Sequence, residues 1–242
     1  MEVGNITIIV FWGYVLILRE RFRWKNLWET SCTILFGKFV TLTISAAIAY
    51  CKNRQLDYQS QKLIVAHLGG GISVSLHLDG KIIDIINDED GCFAPERAGD
   101  IPQSQLVDLC FSIGNKNDVM RMLKGNGGLV AWLGTNDTRE VEARIQAGDR
   151  KAEFIYDAMA FNVAKNIGKE AVVTSGEIDQ IILTGGIAYS AFFNEEIRKR
   201  VSWIAPVTVI PGENEMQALA FGILRVLRGE ETASIFHEYP SA

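Results

Sequence analysis

The sequence predicts an α/β domain that begins near Leu63, behind an apolar segment of different character. Two short apolar runs, "KLIVAHLG" and "IDQIILTGG", end in glycines, which is typical of buried strands. Several stretches between and after them repeat apolar residues at helical spacing. The chain has 242 residues, 48% of them apolar, which suffices for one large domain or two small ones.

Charge and cysteine usage argue against several classes of protein. The formal net charge of -5 disfavours a nucleic-acid-binding surface, which is usually basic. The four cysteines, Cys32, Cys51, Cys92 and Cys110, are widely spaced and form no CxxC pair. A disulfide framework or a zinc site is therefore not expected, and a reducing cytoplasm fits this pattern.

Residues 1–60 allow three interpretations. The apolar runs "NITIIVFWGYVLIL" and "TILFGKFVTLTISAAIAYC" flank the basic stretch "RERFRWK". A signal peptide is disfavoured because the basic residues follow the first apolar run instead of preceding it. A membrane anchor needs roughly 20 apolar residues, whereas the first run is shorter and the second contains Lys38. The segment is a strand followed by buried helices, a membrane-associated segment, or a damaged or mis-started reading frame.

The elements from residue 61 onward begin with the strand "KLIVAHLG". The next stretch, "GISVSLHLDGKIIDII", predicts a hairpin because polar and apolar residues alternate and "DG" supplies the turn. Helical spacing follows in "IPQSQLVDLCFS", with a proline in the first turn. Another helix is predicted for "DTREVEARIQAGD", capped by Asp137 or Thr138 and ended by Gly148.

In the second half of the domain, predicted helices and strands again follow one another. The stretch "KAEFIYDAMAFNVAKNIGKEAVV" predicts a long amphipathic helix whose apolar stripe contains Phe154, Ala158 and Phe161. The second glycine-ending strand and the helix "EEIRKRVSWI" come next. The stretch "APVTVIPGENEMQALAFGILRVLRGE" predicts a strand, a turn and a final helix that ends at Gly229.

The two strand–glycine junctions, "AHLGGGIS" and "ILTGGIAYS", are candidate ligand sites. Glycine lets backbone N–H groups approach a ligand with no Cβ in the way, and successive inward-pointing N–H groups bind phosphate. The second junction can also let a nucleoside lie against the backbone. Neither junction has the spacing of a P-loop or of a dinucleotide-binding turn. Taken singly, each junction fits a simple tight turn better than a ligand site.

Charged residues elsewhere also allow two interpretations. Arg97 stands between Pro95 and Gly99, where its guanidinium can bind phosphate oxygens and stabilise a transferring phosphoryl group. Its spacing fits an ion pair with Glu96 or Asp100 as well. Two further carboxylates, those of Glu213 and Glu215, suit the start of the last helix, and they can also ligate Mg²⁺.

Six motifs, taken in order, resemble the butyrate kinases of the acetate kinase family. They are "VAHLGGGISV", "FAPERAGDIP", "GGLVAWLGTNDTREVE", "IYDAMAFNVAKNIG", "ILTGGIAYS" and "VSWIAPVTVIPGENEMQALAFGILRVLRGEE". The resemblance runs from about Leu63 to about Glu231. It implies the second domain of an actin-like ATPase with a ribonuclease H-like fold, the fold shared by sugar kinases, actin and heat-shock proteins.

The resemblance also implies a reaction and a set of site residues. The family transfers the γ-phosphoryl group of ATP reversibly to a short-chain carboxylate, giving an acyl phosphate and ADP, with Mg²⁺. The implied catalytic residues are Arg97 and His67. The implied residues for the nucleotide and its phosphates are Gly69, Gly70, Gly71, Ser73, Gly185, Gly186 and Ile187, and for the metal Glu215, or alternatively Glu213. Gly70, where acetate kinases tend to carry asparagine, favours butyrate or a branched-chain acid.

Residues 1–60 depart from the family, because they contain no counterpart of the phosphate loop with which its first domain opens. The first domain is therefore missing or replaced, and residues 61–242 form the nucleotide-binding domain with its returning C-terminal helix. The apolar face of that helix is then covered by the N-terminal segment, covered by a second copy in a homo-oligomer, or exposed.

The sequence as a whole predicts a cytoplasmic butyrate-kinase-like phosphotransferase that uses ATP and Mg²⁺ and binds neither nucleic acid nor a membrane. The alternative is a truncated, inactive nucleotide-binding fragment of such a kinase. A membrane-associated protein built on the apolar start is the third hypothesis.

Overall fold

The computed structural model describes residues 7–11, 14–18, 42–87, 91–212, 220, 224 and 226–229. The chain divides into two compact units. Unit 1 consists of Met1–Ser45 with Asn214–Ala242, and unit 2 consists of Ala46–Glu213. The predicted metal ligands Glu213 and Glu215 lie outside the described residues, as does most of the predicted final helix.

Unit 1 contains an antiparallel pair of strands, β1 (Thr7–Phe11) and β2 (Tyr14–Leu18). Thr7 pairs with Leu18 and Phe11 with Tyr14, so the first apolar run turns back on itself after five residues. The single strand predicted here is therefore a pair of strands. Within the described ranges, no helix is long and apolar enough to cross a membrane.

Unit 2 is built on a five-stranded sheet with the strand order β5-β4-β3-β6-β7. Its strands are β3 (Leu63–Leu68), β4 (Ile72–Leu78), β5 (Lys81–Ile86), β6 (Gln180–Gly185) and β7 (Val207–Pro211). The strands β3, β4 and β5 are antiparallel neighbours, whereas β6 and β7 run parallel to β3. The predicted "DG" turn joins β4 to β5, with positive φ at Asp79 (52°) and Gly80 (71°), as a tight hairpin turn requires.

Seven helices are described. They are α1 (residues 42–54), α2 (Gln103–Ile113), α3 (Lys116–Leu123), α4 (Gly128–Leu133), α5 (Thr138–Gln146), α6 (Arg150–Val173) and α7 (Ala191–Val201). Capping explains several starts, because the side chain of Asp137 accepts a hydrogen bond from the Arg139 N–H and that of Asp149 accepts one from the Ala152 N–H. The helices predicted between residues 101 and 204 are confirmed as α2, α5, α6 and α7.

The central strands of the sheet in unit 2, β3, β4 and β6, are buried on both faces. Side chains alternate along β3, so that Ile64 and Ala66 join the core under α6, while Leu63 and Val65 pack in a second cluster with Tyr50 of α1. The alternation in β4 predicted a strand of the hairpin, and the polar side chains of Ser73, Ser75 and His77 are buried as well.

The long helix α6 buries a different stripe from the predicted one. Phe154 is 72% exposed and Phe161 is 53% exposed, whereas Met159 and Val163 are completely buried. The prediction of the helix is therefore confirmed, and the assignment of its apolar stripe is wrong. Both stripes have helical spacing, and only packing against the sheet decides between them.

Two alanine substitutions on opposite faces of α6 test this orientation. Met159→Ala removes a fully buried side chain, so we expect the free energy of unfolding to fall by about 2–5 kcal/mol. Phe154→Ala should change it by only about 0.5 kcal/mol, because the side chain is exposed. Urea unfolding curves of both variants measure the difference. Equal losses would contradict the described orientation.

Buried polar side chains on the α1 face of the sheet are connected by hydrogen bonds. The Ser75 hydroxyl donates to the Val65 carbonyl (3.4 Å), so His77 Nε2–H donates to Ser75 Oγ (2.9 Å) and Nδ1 accepts from the Tyr58 hydroxyl (2.7 Å). Tyr50 donates to Gln180 Oε1 (2.9 Å) on the same face. Burial lowers the pKa of His77 to about 3, so the ring is neutral near neutral pH.

The depressed pKa of His77 predicts a loss of stability in acid. Below pH 6.5 the unfolded chain binds a proton on this histidine and the folded chain does not, so stability falls until the pH reaches about 3. The slope due to this residue approaches about 1.4 kcal/mol per pH unit. We expect His77→Gln to be less stable at neutral pH but to lose less stability on acidification.

The measurement is urea unfolding as a function of pH, with His237→Gln as the control for loss of a histidine. An acid slope that is the same in His77→Gln and in the wild type would contradict the assignment.

Candidate functional site

The two glycine junctions of the sequence lie at the same edge of the sheet. Strands β3 and β6 are adjacent and parallel, and His67 pairs with Thr184 in the register. The chain therefore leaves both strands at their carboxyl ends, into Gly69–Gly71 on one side and into Gly185 and Gly186 on the other. In open sheets with parallel strands, this edge is where ligands bind.

Close backbone packing fixes the second junction. Gly185 has φ of +97°, and a Cβ on it would lie 2.4 Å from the carbonyl oxygen of Leu68 at the end of β3. Its own carbonyl accepts a hydrogen bond from the N–H of Gly212 at the end of β7 (3.0 Å). Only glycine allows these strand ends to approach so closely, which explains the "TGG" sequence.

The first junction is open on one side. Gly69 is buried, and its N–H donates to the carbonyl of Gly71 (3.1 Å). Gly70 is exposed, and no atom lies within 4 Å of the position that its Cβ would occupy. Space for a ligand is therefore present beside Gly70, where the sequence predicted a phosphate contact.

The junction after β6 continues into a short 3-10 helix, Ile187–Tyr189, whose N-cap residue is Gly186. The Ile187 side chain is buried in the α6-side core, so this residue can offer only its backbone to a ligand. Tyr189, which the sequence analysis did not select, is 73% exposed and lies beside Gly212. Its ring offers a stacking surface at this edge, and only its position within "TGGIAYS" gave a sequence signal.

His67 and Ser73 lie next to each other below this edge. They are cross-strand partners of β3 and β4, and their exposed fractions are 4% and 0%. The structure therefore brings them together on the α1 face of the sheet and not on its open edge. Their predicted roles toward phosphate stay predictions.

Arg97 lies on a separate loop that is held firmly by its backbone. The N–H groups of Ala98 and Arg97 donate to the carbonyls of Leu123 (3.0 Å) and Ala94 (3.4 Å). A Cβ on Gly128, at the start of α4, would lie 1.8 Å from the Ala94 carbonyl oxygen, so this loop and α4 are in direct backbone contact. The position of Arg97 is therefore fixed by α3 and α4.

The carboxylates that were alternative partners of Arg97 contact other residues. Glu96 Oε1 accepts a hydrogen bond from Asn136 Nδ2 (2.6 Å), and Asp100 lies 3.7 Å from Lys169 Nζ. Among the contacts of the described residues, neither carboxylate forms an ion pair with Arg97. The predicted role of Arg97 toward phosphate stays a prediction.

A shallow cavity of about 250 Å³ lies behind the Arg97 loop. Its walls include Trp132, Phe161 and Lys165. None of the residues predicted to bind nucleotide or phosphate lines it, so it is separate from the edge that carries the glycine turns.

The strand order, the strand directions and the paired glycine turns define an actin-like ATPase domain with a ribonuclease H-like sheet. The model of the acetokinase family matches residues 42–207, which is more than half of the chain. The chain therefore belongs to the acetokinase family. The match includes α1 and so begins within the segment 1–60.

The curated relatives carry the names of butyrate kinases. The chain is 48% identical over 192 residues to butyrate kinase 2 of Clostridium acetobutylicum, covering 78% of this chain and 54% of that protein. It is 46% identical over 204 residues to a probable butyrate kinase of Clostridium botulinum, covering 83% and 58%. The chain thus spans little more than half the length of these relatives.

Solved structures show the same fold. Acetate kinase of Porphyromonas gingivalis superposes with a TM-score of 0.71 at 19% identity, covering 84% of this chain and 59% of that one. A propionate kinase of Francisella tularensis gives a TM-score of 0.66 at 24% identity, covering 74% and 52%. At these identities the likeness establishes the fold.

Gly185→Ala and Gly168→Ala test the packing at the second junction. We expect Gly185→Ala to destabilise the protein by about 1–3 kcal/mol, because alanine is strained at positive φ and its Cβ would meet Leu68. Gly168 lies inside α6 with open space around its Cβ position, so Gly168→Ala should stabilise by about 0.5–1 kcal/mol. Urea unfolding measures both effects. A stable Gly185→Ala variant would contradict the close approach of the strand ends.

Proposed function

We propose that this chain carries the ATP-binding half of a butyrate-kinase-like phosphotransferase. The reaction is reversible transfer of the ATP γ-phosphoryl group to butyrate or a branched short-chain carboxylate. A carboxylate oxygen forms a bond to the γ-phosphorus, the bond from that phosphorus to the bridging oxygen breaks, and ADP leaves. The observation that carries the proposal is the meeting of the two glycine turns at one sheet edge, in a chain whose named relatives are butyrate kinases.

In this proposal the two glycine turns contact different parts of the nucleotide. The Gly69–Gly71 turn binds the phosphates through backbone N–H groups other than that of Gly69, which donates to the Gly71 carbonyl, and Gly70 leaves open space beside the turn. The backbone of Gly185, Gly186 and Ile187 lies against the nucleoside. The exposed ring of Tyr189 supplies an additional stacking surface for it.

Arg97 acts on the transferring group. Its planar guanidinium can bind two phosphoryl oxygens at once and offset the charge that develops on them. A loop that is held by backbone hydrogen bonds suits this role, because the group then needs little reorganisation during transfer. His67 is the second candidate catalytic residue, as a neighbour of the phosphate turn.

Mg²⁺ belongs to the same proposal. Glu215, or alternatively Glu213, would hold it together with phosphate oxygens, since Mg²⁺ at nucleotide sites usually takes one or two carboxylates. When bound, the ion neutralises charge on the phosphates. We also place the reaction in the cytoplasm, where the sequence analysis located the protein.

A second candidate function is nucleotide binding without turnover. It is supported by the glycine turns themselves, since their meeting at one sheet edge accounts for nucleotide binding without any acyl-binding residue. In this case ATP binds to the glycine turns, and no acyl phosphate forms.

Hydroxylamine trapping of acyl phosphate tests the proposed reaction. Purified full-length chain with ATP, Mg²⁺ and butyrate should give hydroxamate that depends on both substrates. Arg97→Ala should abolish the product by removing the charge that stabilises the transferring group, with a loss on the order of 100-fold or more. Gly70→Ala should fold normally and bind ATP more weakly. The matched control is Arg139→Ala, which removes an exposed arginine paired with Asp137.

Calorimetric titration with ATP separates the two candidates. Binding without hydroxamate supports the nucleotide-binding function and contradicts the kinase. Full turnover by Arg97→Ala removes the proposed role of that residue. The absence of both binding and product from folded protein would overturn both candidates.

A further inference from the structure

A line of polar side chains runs along the buried face of α6, away from the glycine turns. Asn162, Asn166 and Glu170 follow one another at four-residue intervals and therefore share one face of the helix. Asn166 and Glu170 are 0% and 1% exposed. Full burial of a carboxylate is costly unless a donor or a cation compensates it.

The hydrogen bonds of the two asparagines orient their amide groups. Asn162 Oδ1 accepts from the Phe93 N–H (2.9 Å) and from Asn166 Nδ2 (3.3 Å). Asn166 Nδ2 also donates to Cys92 Sγ (3.1 Å). Since the nitrogen of Asn166 points at these groups, its Oδ1 points away from them.

Three buried oxygens make no hydrogen bond of normal length and angle. They are Asn166 Oδ1, Glu170 Oε1 and Glu170 Oε2. Asn166 and Glu170 are one helical turn apart, so their side chains share one face of α6. Buried polar atoms of a native protein normally have a partner, so this concentration of bare acceptors points to a positively charged ligand.

Asp84 of β5 adds a second carboxylate from the sheet. It pairs across the strands with Leu76, whose side chain belongs to the core under α6, so Asp84 is on the α6 side of the sheet. One of its oxygens accepts from the Ile85 N–H (2.8 Å), which leaves the other available. Burial, and secondarily the charge of Asp84, raise the pKa of Glu170 to about 8, and the nearby Ile86 N–H offsets only part of this rise.

The lysine next to Glu170 in the sequence does not compensate this cluster. Lys169, the residue next to Glu170, is half exposed and is directed toward Asp100 at 3.7 Å. No group of three His, Cys, Asp or Glu side chains converges among the described residues. The amide oxygen of Asn166 is therefore a necessary member of the donor set.

We propose that Glu170, Asn166 and Asp84 bind a hard divalent cation of the Ca²⁺ class. Carboxylate and amide oxygens are the ligands that such cations prefer, and softer metals would require nitrogen or sulfur donors. Two carboxylates balance the charge of a divalent ion. The cluster is separate from the glycine turns, because it lies on the α6 side of the sheet and involves neither of them.

The bound cation would connect three parts of unit 2. It would join β5 to α6, and through Asn166 and Asn162 it would stabilise the backbone at Cys92 and Phe93, where the Arg97 loop begins. Binding of the cation is therefore expected to raise the thermal stability of the protein. This effect does not require a bound nucleotide.

Thermal unfolding of the full chain tests the proposal. Protein freed of metal by a chelator is titrated with CaCl₂ at neutral pH without nucleotide, and MgCl₂ and KCl at matched ionic strength serve for comparison. We expect a saturable rise of Tm by several degrees with Ca²⁺. The rise should disappear in Glu170→Gln and in Asp84→Asn, and it should persist in Glu195→Gln, which changes an exposed carboxylate of α7.

Equilibrium dialysis with Ca²⁺ on the wild-type chain gives a second readout that needs no variant, with one bound ion per chain expected. A wild-type Tm that does not respond to Ca²⁺, together with no ion retained in dialysis, would overturn the proposal. An equal response in Glu170→Gln would overturn it as well. If Glu170→Gln is as stable as the wild type and neither protein binds Ca²⁺, the Glu170 carboxyl group is protonated in the folded chain. That result rejects the cation site.

Discussion

The parallel pairing of β3 with β6 is the constraint on which the rest of the molecule depends. These strands are more than a hundred residues apart in the chain, yet His67 and Thr184 are register partners. Parallel pairing requires that both strands end at the same edge, and both sequences continue there into glycines. The contact of Gly185 with the Leu68 carbonyl locks this arrangement, because any side chain at that position would separate the strand ends.

The intervening chain explains how this pairing is stabilised. It forms β4 and β5, which extend the sheet on one side, and then the helices from α2 to α6. The last of these covers the sheet face with Met159 and Val163, while α1 covers the opposite face. Both faces of the central strands β3, β4 and β6 are therefore closed to solvent, and their strand ends and connecting loops remain for ligand binding. This division between a rigid sheet and functional loops is common in α/β proteins.

Local patterns predicted part of this architecture. The run before "GGG" predicted β3, the "DG" turn predicted the β4–β5 hairpin, and Asp137 predicted the start of α5, because each signal depends on a few neighbouring residues. Features that depend on tertiary packing could not be predicted. Phe154 and Met159 both lie on helical stripes, and nothing in the sequence indicates which stripe meets the sheet. The same limit applies to Ser73 and His77, whose alternation predicted a hairpin strand but could not predict that these polar side chains are buried. At the site, the glycines were accessible to sequence reasoning, whereas the exposure of Tyr189 was not.

The central claim is that the two glycine turns form one nucleotide site, and hydrogen–deuterium exchange tests it most directly. Exchange is followed by mass spectrometry on the full chain with and without ATP and Mg²⁺. The account predicts that ATP slows exchange in peptides spanning residues 66–72 and in those spanning residues 184–190, and leaves α2 and α3 unchanged. Protection at only one turn, or at neither turn while ATP is bound, would contradict the claim that the paired strand ends create the site.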